Sequence, residues 1–406
     1  MPNKWIQKLD RAIDAQRKKI VRVRRDLHMY PEPSGREVET TRYLVKLLQQ
    51  TECHIQIGPR GCGVIADNTL ENTRIGMRAD IDALRIQDAK NVPYRSRVPG
   101  VMHACGHDGH TATVLGAVLG LLECDRVLPW PVHWRAIFQP AEETNRGAKD
   151  MIAFGALKNV CGLLSLHLDP SRPAGTVGTR KGVLTANCAE IEICIQGRGG
   201  HAARPRETRD PIVAAAQIIT ALYQSLPRNV DAHDPIVISI GHISAGENPN
   251  AIPGQALLRG TLRTLSDRSQ AHAMDHILKI ANGIANLTDT QIDVRFLTGP
   301  SSVNNDPILT ELIRQNAIDL LGQTHVQTIA KPSMGGEDFA NYLDHVPGSL
   351  FRLGCMPARG NAPPLHAPDF DIDERALVIG AKILARSVVN YFDPSQKKNG
   401  DCHDPT

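Results

Sequence analysis

The stretch Ala189-Glu190-Ile191-Glu192-Ile193-Cys194-Ile195-Gln196 decides how the chain is organised, because its apolar side chains recur at every second residue. Successive side chains of a strand point to opposite faces, so this alternation predicts a strand covered on one side only. Upstream, short apolar runs at Ile75 to Met77, Val132 to Phe138 and Leu163 to Leu168 read as strands. They alternate with helical patterns, one from Thr111 and one around Lys149 to Phe154, which is the texture of an α/β domain with a largely parallel sheet. Downstream of Ala189 the order changes. Asp210 and Pro211 cap and open a helix to about Leu226, strands follow at Ile236 to Ile243 and Ala256 to Leu265, then a helix from Asp267 to about Asn286 and a strand at Gln291 to Leu297. That βαββαβ order is ferredoxin-like. Alternating elements resume at Asp306 and Pro307 and run to a polar tail after Tyr391. The expected class is α/β: a larger domain made of residues 1–186 and 298–406, interrupted by a smaller α+β domain, 187–297.

At the start of the chain, Ile6, Leu9, Ile13, Ile20 and Leu27 share one helical face, and Ser34 followed by Glu37 reads as a capping box opening a second helix. The chain has 406 residues, 41% hydrophobic and 22% charged, with a formal net charge of +3. Such a composition folds, and so small a charge draws neither nucleic acid nor an anionic membrane. The apolar run Thr111 to Leu122 is too short to span a bilayer, and Lys4, Lys8, Asp10 and Arg11 leave no apolar signal region, so a cytoplasmic protein is expected. Nine cysteines, scattered from Cys53 to Cys402, favour reduced thiols over a disulfide framework.

The chemistry concentrates in four places. Met102-His103-Ala104-Cys105-Gly106-His107-Asp108-Gly109-His110 is a loop entering a helix N-terminus, where the helix dipole is expected to lower a thiol's pKa and where Cys105 and His107 can reach one metal centre. The strand Val132 to Phe138 runs into Gln139-Pro140-Ala141-Glu142-Glu143, placing two carboxylates at the C-terminal end of a parallel strand, where open α/β sheets hold their sites. One could bind metal while the other deprotonates a water. His167 ends the run Leu163 to His167, and His366 lies in a Pro-rich loop. One thiol, three histidines and one carboxylate make a donor set for two borderline divalent cations. Asp80, in Arg78-Ala79-Asp80-Ile81-Asp82, is a candidate carboxylate partner for a metal-bound histidine. GxSxG and HExxH are absent, which removes the common serine-hydrolase and single-zinc protease readings.

Met77-Arg78-Ala79-Asp80-Ile81-Asp82-Ala83-Leu84, His103 to His110, Phe138 to Glu143, Gly199-Gly200-His201-Ala202-Ala203, Asn250-Ala251-Ile252-Pro253, Gly260-Thr261-Leu262-Arg263 and Gly335-Gly336-Glu337-Asp338-Phe339 occur in this order. With them the chain resembles the M20 metallopeptidases, in the amidohydrolase branch that includes hippurate, auxin-conjugate and N-acyl-amino-acid hydrolases, from about Arg24 to Leu384. The resemblance implies an enzyme with two divalent ions, zinc or manganese, with cobalt or nickel as alternatives. Cys105 would bridge the ions and His107, Glu143, His167 and His366 would complete the ligands. Glu142 would be general base and acid. The insert would be a lid and dimerisation domain of a homodimer whose His201 stabilises the oxyanion, while Asn250, Arg263 and Gly335 contact an N-acyl amino acid. Asp169 and Arg85 stand where this branch has tryptophan and proline. Two other readings stay open: a dipeptidase or carboxypeptidase using the same centre, and a non-catalytic metal-binding scaffold.

Overall fold

The computed structural model describes residues 4–70, 72–231, 233–357 and 363–396; Cys402 and the end of the polar tail lie outside the described residues. The chain forms two compact units, one of Met1–Gly182, Asn304–Ala330 and Asp338–Thr406, the other of Val183–Val303 and Lys331–Glu337. The second is longer at both ends than the 187–297 read from sequence. It also takes in Lys331–Glu337, because Ala186 N–H donates to Gly335 O (3.0 Å) and Ser333 N–H to Leu184 O (2.9 Å).

In the first unit, the described residues form an eight-stranded mixed sheet, in the order His54–Ile57, Val64–Asp67, Trp134–Gln139, Arg74–Asp80, Val160–Pro173, Gly348–Met356, Val177–Thr179, Val326–Thr328. The four central strands, Trp134–Gln139 through Gly348–Met356, are mutually parallel. Arg74–Asp80 and Trp134–Gln139 are buried along their whole length, including Arg78, which is paired with Asp80 and Asp338, and Arg135, which is paired with Asp67. Helix His107–Cys124 is buried nearly all round, packed against strand Arg74–Asp80 and the helices Lys4–Ala15, Arg17–Met29 and Arg375–Tyr391. It starts at His107, one turn before the expected Thr111. A Cβ at Gly116 or Gly120 would come within 2.7 Å of Ile20 or 2.3 Å of Ile13, so these glycines set how closely the helices approach.

The first amphipathic face is divided at Gln16 into two helices. The capping box is not formed. The next helix is Val38–Leu48, with Glu37 at its N-cap and no side-chain cap; Ser34 and Glu37 bond elsewhere, as shown below.

In the second unit the strands Asn187–Gln196, Val237–Ala245, Gln255–Thr264 and Gln291–Thr298 make an antiparallel sheet in which Gln255–Thr264 and Asn187–Gln196 are central. Helices Pro211–Ser225 and Asp267–Thr288 cover one face. Ile191, Ile193 and Ile195 are buried beneath them with Ile218, Leu222 and Ile277, while Glu190 and Gln196 are exposed. Asp210 caps the first helix, its carboxylate accepting from Ile212 N (2.8 Å) and Val213 N (3.4 Å).

Candidate metal centre

The parallel strands deliver the chemistry at their C-terminal ends. Asp80 closes one strand, Gln139 the next, and His167 lies in Val160–Pro173. Between Cys105 and His107, Gly106 has φ 90°, the left-handed backbone that glycine adopts without strain, and caps the following helix. The donor atoms of Cys105, His107 and His167 lie within 4.8 Å of one another, and Cys105 Sγ is 3.6 Å from His167 Nε2.

Each imidazole is set by the bond its other nitrogen makes. His107 Nδ1 donates to Asp82 O (3.0 Å) and lies 3.2 Å from Asp82 Oδ1; His167 Nδ1 donates to Leu168 O (2.8 Å). Both rings therefore direct Nε2 to the centre. Glu143 follows from the adjoining strand. Its Oε1 is 3.9 Å from His107 Nε2 and 3.5 Å from His366 Nε2. The backbone of His366 is held at φ 67° while its N–H donates to Ala104 O (2.8 Å).

The carboxylate on His107 is that of Asp82. Asp80, assigned to such a role from sequence, instead accepts from His110 Nδ1 (2.6 Å) and Arg78 (2.8 Å) and lies 3.8 Å from His107 Nε2. Residue 80 ends a strand paired on both sides, whereas Asp82 lies beyond it and can reach the loop. His110 spends its second nitrogen accepting from Leu168 N (2.9 Å), which leaves it no lone pair for a cation.

The electrostatic environment of the centre differs from one side chain to the next. Burial lowers the His107 imidazole, but Asp80 and Cys105 outweigh it and raise its pKa well above the usual value. Burial, with Arg352 next in effect, holds His167 well below the usual range, so that ring is neutral and ligand-competent. Burial also pushes the Cys105 thiol far up, more than the neighbouring His107 lowers it. This corrects the expectation that the helix N-terminus leaves a low-pKa thiol: desolvation dominates, and a thiolate here requires a cation beside it. The residues fit such a cation. Glu143 Oε1 is buried with no hydrogen-bond donor among the described residues, and it converges with two imidazole nitrogens and a thiol.

Glu142 is buried, its Oε1 accepts from Asp338 N (3.4 Å), and a carboxylate oxygen lies within 4.8 Å of the donor atoms of His107 and Glu143. Asp338 is fixed in turn by Arg78 (2.7 Å), Gln139 Nε2 (2.8 Å) and Ala148 N (3.0 Å). Sequence reasoning missed Asp82, Asp338, Ser34 and Glu37 as parts of this centre. Asp82 was legible as the second acid of its segment; Asp338 lies far along the chain and gives no local signal.

In the second unit the structure pairs the remaining candidates. His201 and Asn250 are neighbours: Gly200–His201 pairs with Ala251–Ile252, and Ala202 N donates to Asn250 O (3.0 Å). Arg263 donates to Met334 O (3.0 Å) and to Cys188 Sγ (3.4 Å), beside Gly335.

Residues 76–390 match peptidase family M20/M25/M40. The chain belongs to this M20 family. It is 40% identical over 378 residues to a probable hydrolase, sll0100, of Synechocystis, covering 92% of this chain and 96% of that protein. It is 37% identical over 374 residues to an N-acetylcysteine deacetylase of Bacillus subtilis, covering 91% and 96%. A solved Bacillus subtilis structure, the YXEP protein, described as a dinuclear metal binding peptidase from the M20 family, superposes with a TM-score of 0.79 at 35% identity, covering 93% of this chain and 99% of that one. As an M20 member with this centre, the chain is a metal-dependent amidohydrolase. Among the described residues no helix is long and apolar enough to cross a membrane.

Proposed function

We propose that the enzyme hydrolyses the amide bond of N-acyl-L-amino acids, releasing a carboxylic acid and a free amino acid. The observation that carries this reading is the divided environment of two adjacent acids: Glu143 Oε1 lies among His107, His366 and Cys105, while Glu142 is held by the Asp338 amide at the edge of the same cluster. Two divalent ions held by Cys105, His107, Glu143, His167 and His366, with zinc or manganese suiting this mixed donor set and cobalt or nickel as alternatives, would polarise the amide carbonyl and bring a water's pKa from about 15.7 toward about 7. Glu142 takes the proton of the attacking water and returns it to the leaving nitrogen. His201 donates to the developing oxyanion, a contribution of roughly 3 kcal/mol for one donor, and reaches the site of the partner subunit in a homodimer built through the second unit.

Arg263 and Asn250, with the Gly335 segment, hold the substrate's carboxylate. Among the described residues no carboxylate pairs with Arg263, whose planar fork matches that group. A relative named N-acetylcysteine deacetylase supports an acylated amino acid as the substrate class. Free thiols at all eight described cysteines suit the reducing cytoplasm. Replacing Arg263 with alanine should raise KM about 10- to 100-fold with a smaller change in kcat, read from initial rates.

The substrate class is tested by assaying N-acetyl amino acids, N-benzoyl amino acids and dipeptides side by side. Release of the free amino acid from the acylated substrates supports the reading. If only dipeptides are cut, the enzyme is a dipeptidase and the reading is wrong.

A further inference from the structure

We propose that Glu37 is a positioning residue for Glu142, acting through the backbone on either side of it. The inference rests on the reading of Glu142 as general base. Glu37 is fully buried, and its Oε1 accepts from Ala141 N (2.8 Å) and Gly35 N (2.8 Å). Ala141, the residue immediately before Glu142, has φ 54°. A residue with a Cβ enters that left-handed region only when its surroundings impose it.

The surroundings here are specific. Ala141 O accepts from Gly147 N (3.1 Å) and Arg146 N (3.3 Å), closing the turn on its far side. A Cβ on Gly147 would fall 1.5 Å from Pro140 O, so the turn cannot open around a larger residue there. Ala141 N–H points out of the turn and finds Glu37.

The amide on the other side of Glu142 is held from the same segment. Glu143 N donates to Asp82 Oδ2 (3.1 Å), and Ser34 Oγ donates to that same oxygen (2.7 Å). The two amides flanking Glu142 are thus fixed by the Ser34–Glu37 segment, one directly and one through Asp82. Two residues with the spacing of a capping box thus form none: Ser34 Oγ is committed to Asp82, and Glu37 Oε1 to Ala141 N and Gly35 N. Glu37 does not touch substrate or cations in this account. It selects the backbone conformation from which Glu142 works, and a misplacement of about 1 Å at such a group can lower a rate 100-fold.

The test is steady-state kinetics of the metal-loaded dimer or monomer as purified, for wild type, Glu37→Gln, Glu37→Ala and the double variant Glu37→Ala/Ala141→Gly, with bound metal and Tm measured for each. Glu37→Ala should lower kcat about 10- to 100-fold with KM and bound metal little changed. Glu37→Gln keeps an oxygen to accept from Ala141 N–H and should retain most of kcat. Adding Ala141→Gly to Glu37→Ala should restore a large part of the loss, because glycine takes a positive φ unaided. A purely structural role would lower Tm alike in both alanine variants without this recovery of kcat.

The inference is overturned if Glu37→Ala keeps the wild-type kcat, if its loss only follows lost metal or lost fold, or if Ala141→Gly recovers nothing. Glu142→Ala is run alongside to separate the two claims. If it turns over like wild type, the reading of Glu142 fails whatever Glu37 does. If it is inactive while Glu37→Ala is unimpaired, only the positioning role fails.

Discussion

Replacing Glu142 with alanine is expected to lower kcat by about 10²- to 10⁴-fold while bound metal stays as in wild type. The effect falls on kcat because the carboxylate acts on a proton that moves only as the amide is attacked, whereas ground-state binding is assigned to Arg263 and its neighbours. Bound metal is preserved because the converging donors belong to other residues: Glu143 Oε1 is the oxygen between His107 and His366, and Cys105 Sγ faces His167. The fold is preserved too, since Asp338 keeps its bonds to Arg78, Gln139 and Ala148 when Glu142 is shortened. Initial rates and metal analysis of the purified variant check both halves. Wild-type turnover would remove Glu142 from the mechanism.

The second large effect is metal removal. Stripping the protein with a chelator should abolish turnover, and adding back a divalent ion should restore it. The same treatment should lower Tm. Within the fold, Cys105 is buried and Glu143 partly so, desolvation disfavours the ionised form of each, and a bound cation relieves that cost only in the native state. A ligand at 1,000 times its Kd that binds only the native state adds about 4 kcal/mol. Thermal unfolding with and without metal, followed beside activity, reads this directly. Undiminished turnover and Tm in the stripped protein would show that the cluster is an ordinary buried polar network.

Much of the architecture was legible because it follows from side-chain periodicity. Short apolar runs such as Ile75 to Met77 and Leu163 to Leu168 became buried strands, and the alternation at Ile191, Ile193 and Ile195 became a strand covered on one face. The caps at Asp210 and Asp306 were legible for a local reason: each bonds amides two and three residues on. Ser34 and Glu37 carry an equally clear local signal, and it misleads. Their oxygens serve Asp82 and Ala141, partners that only the folded sheet brings near. A local rule broken at a buried, well-bonded position marks a functional neighbourhood, which is why the failed cap led to the positioning role.

The centre itself was legible as residue types and not as an electrostatic environment. Cys105, His107, Glu143, His167 and His366 could be named from their motifs, and the donor atoms of the first four and of His366 fall into overlapping clusters. The thiol's pKa could not be read that way. A helix N-terminus is visible in sequence, whereas the burial that overrides it depends on what packs around Cys105. The choice between Asp80 and Asp82 was likewise a matter of reach: both sit in one short segment, and only the fold shows which oxygen meets His107 Nδ1 and which meets His110.

The most direct test of the central claim is a titration of metal-free wild type and Glu142→Ala with a single divalent ion, measuring bound metal and the hydrolysis of an N-acetyl amino acid in the same samples. Both proteins should bind two ions per subunit, and only wild type should release free amino acid, its rate rising as the sites fill. Turnover by wild type before any metal is added, or equal turnover by the metal-loaded variant, would contradict the account.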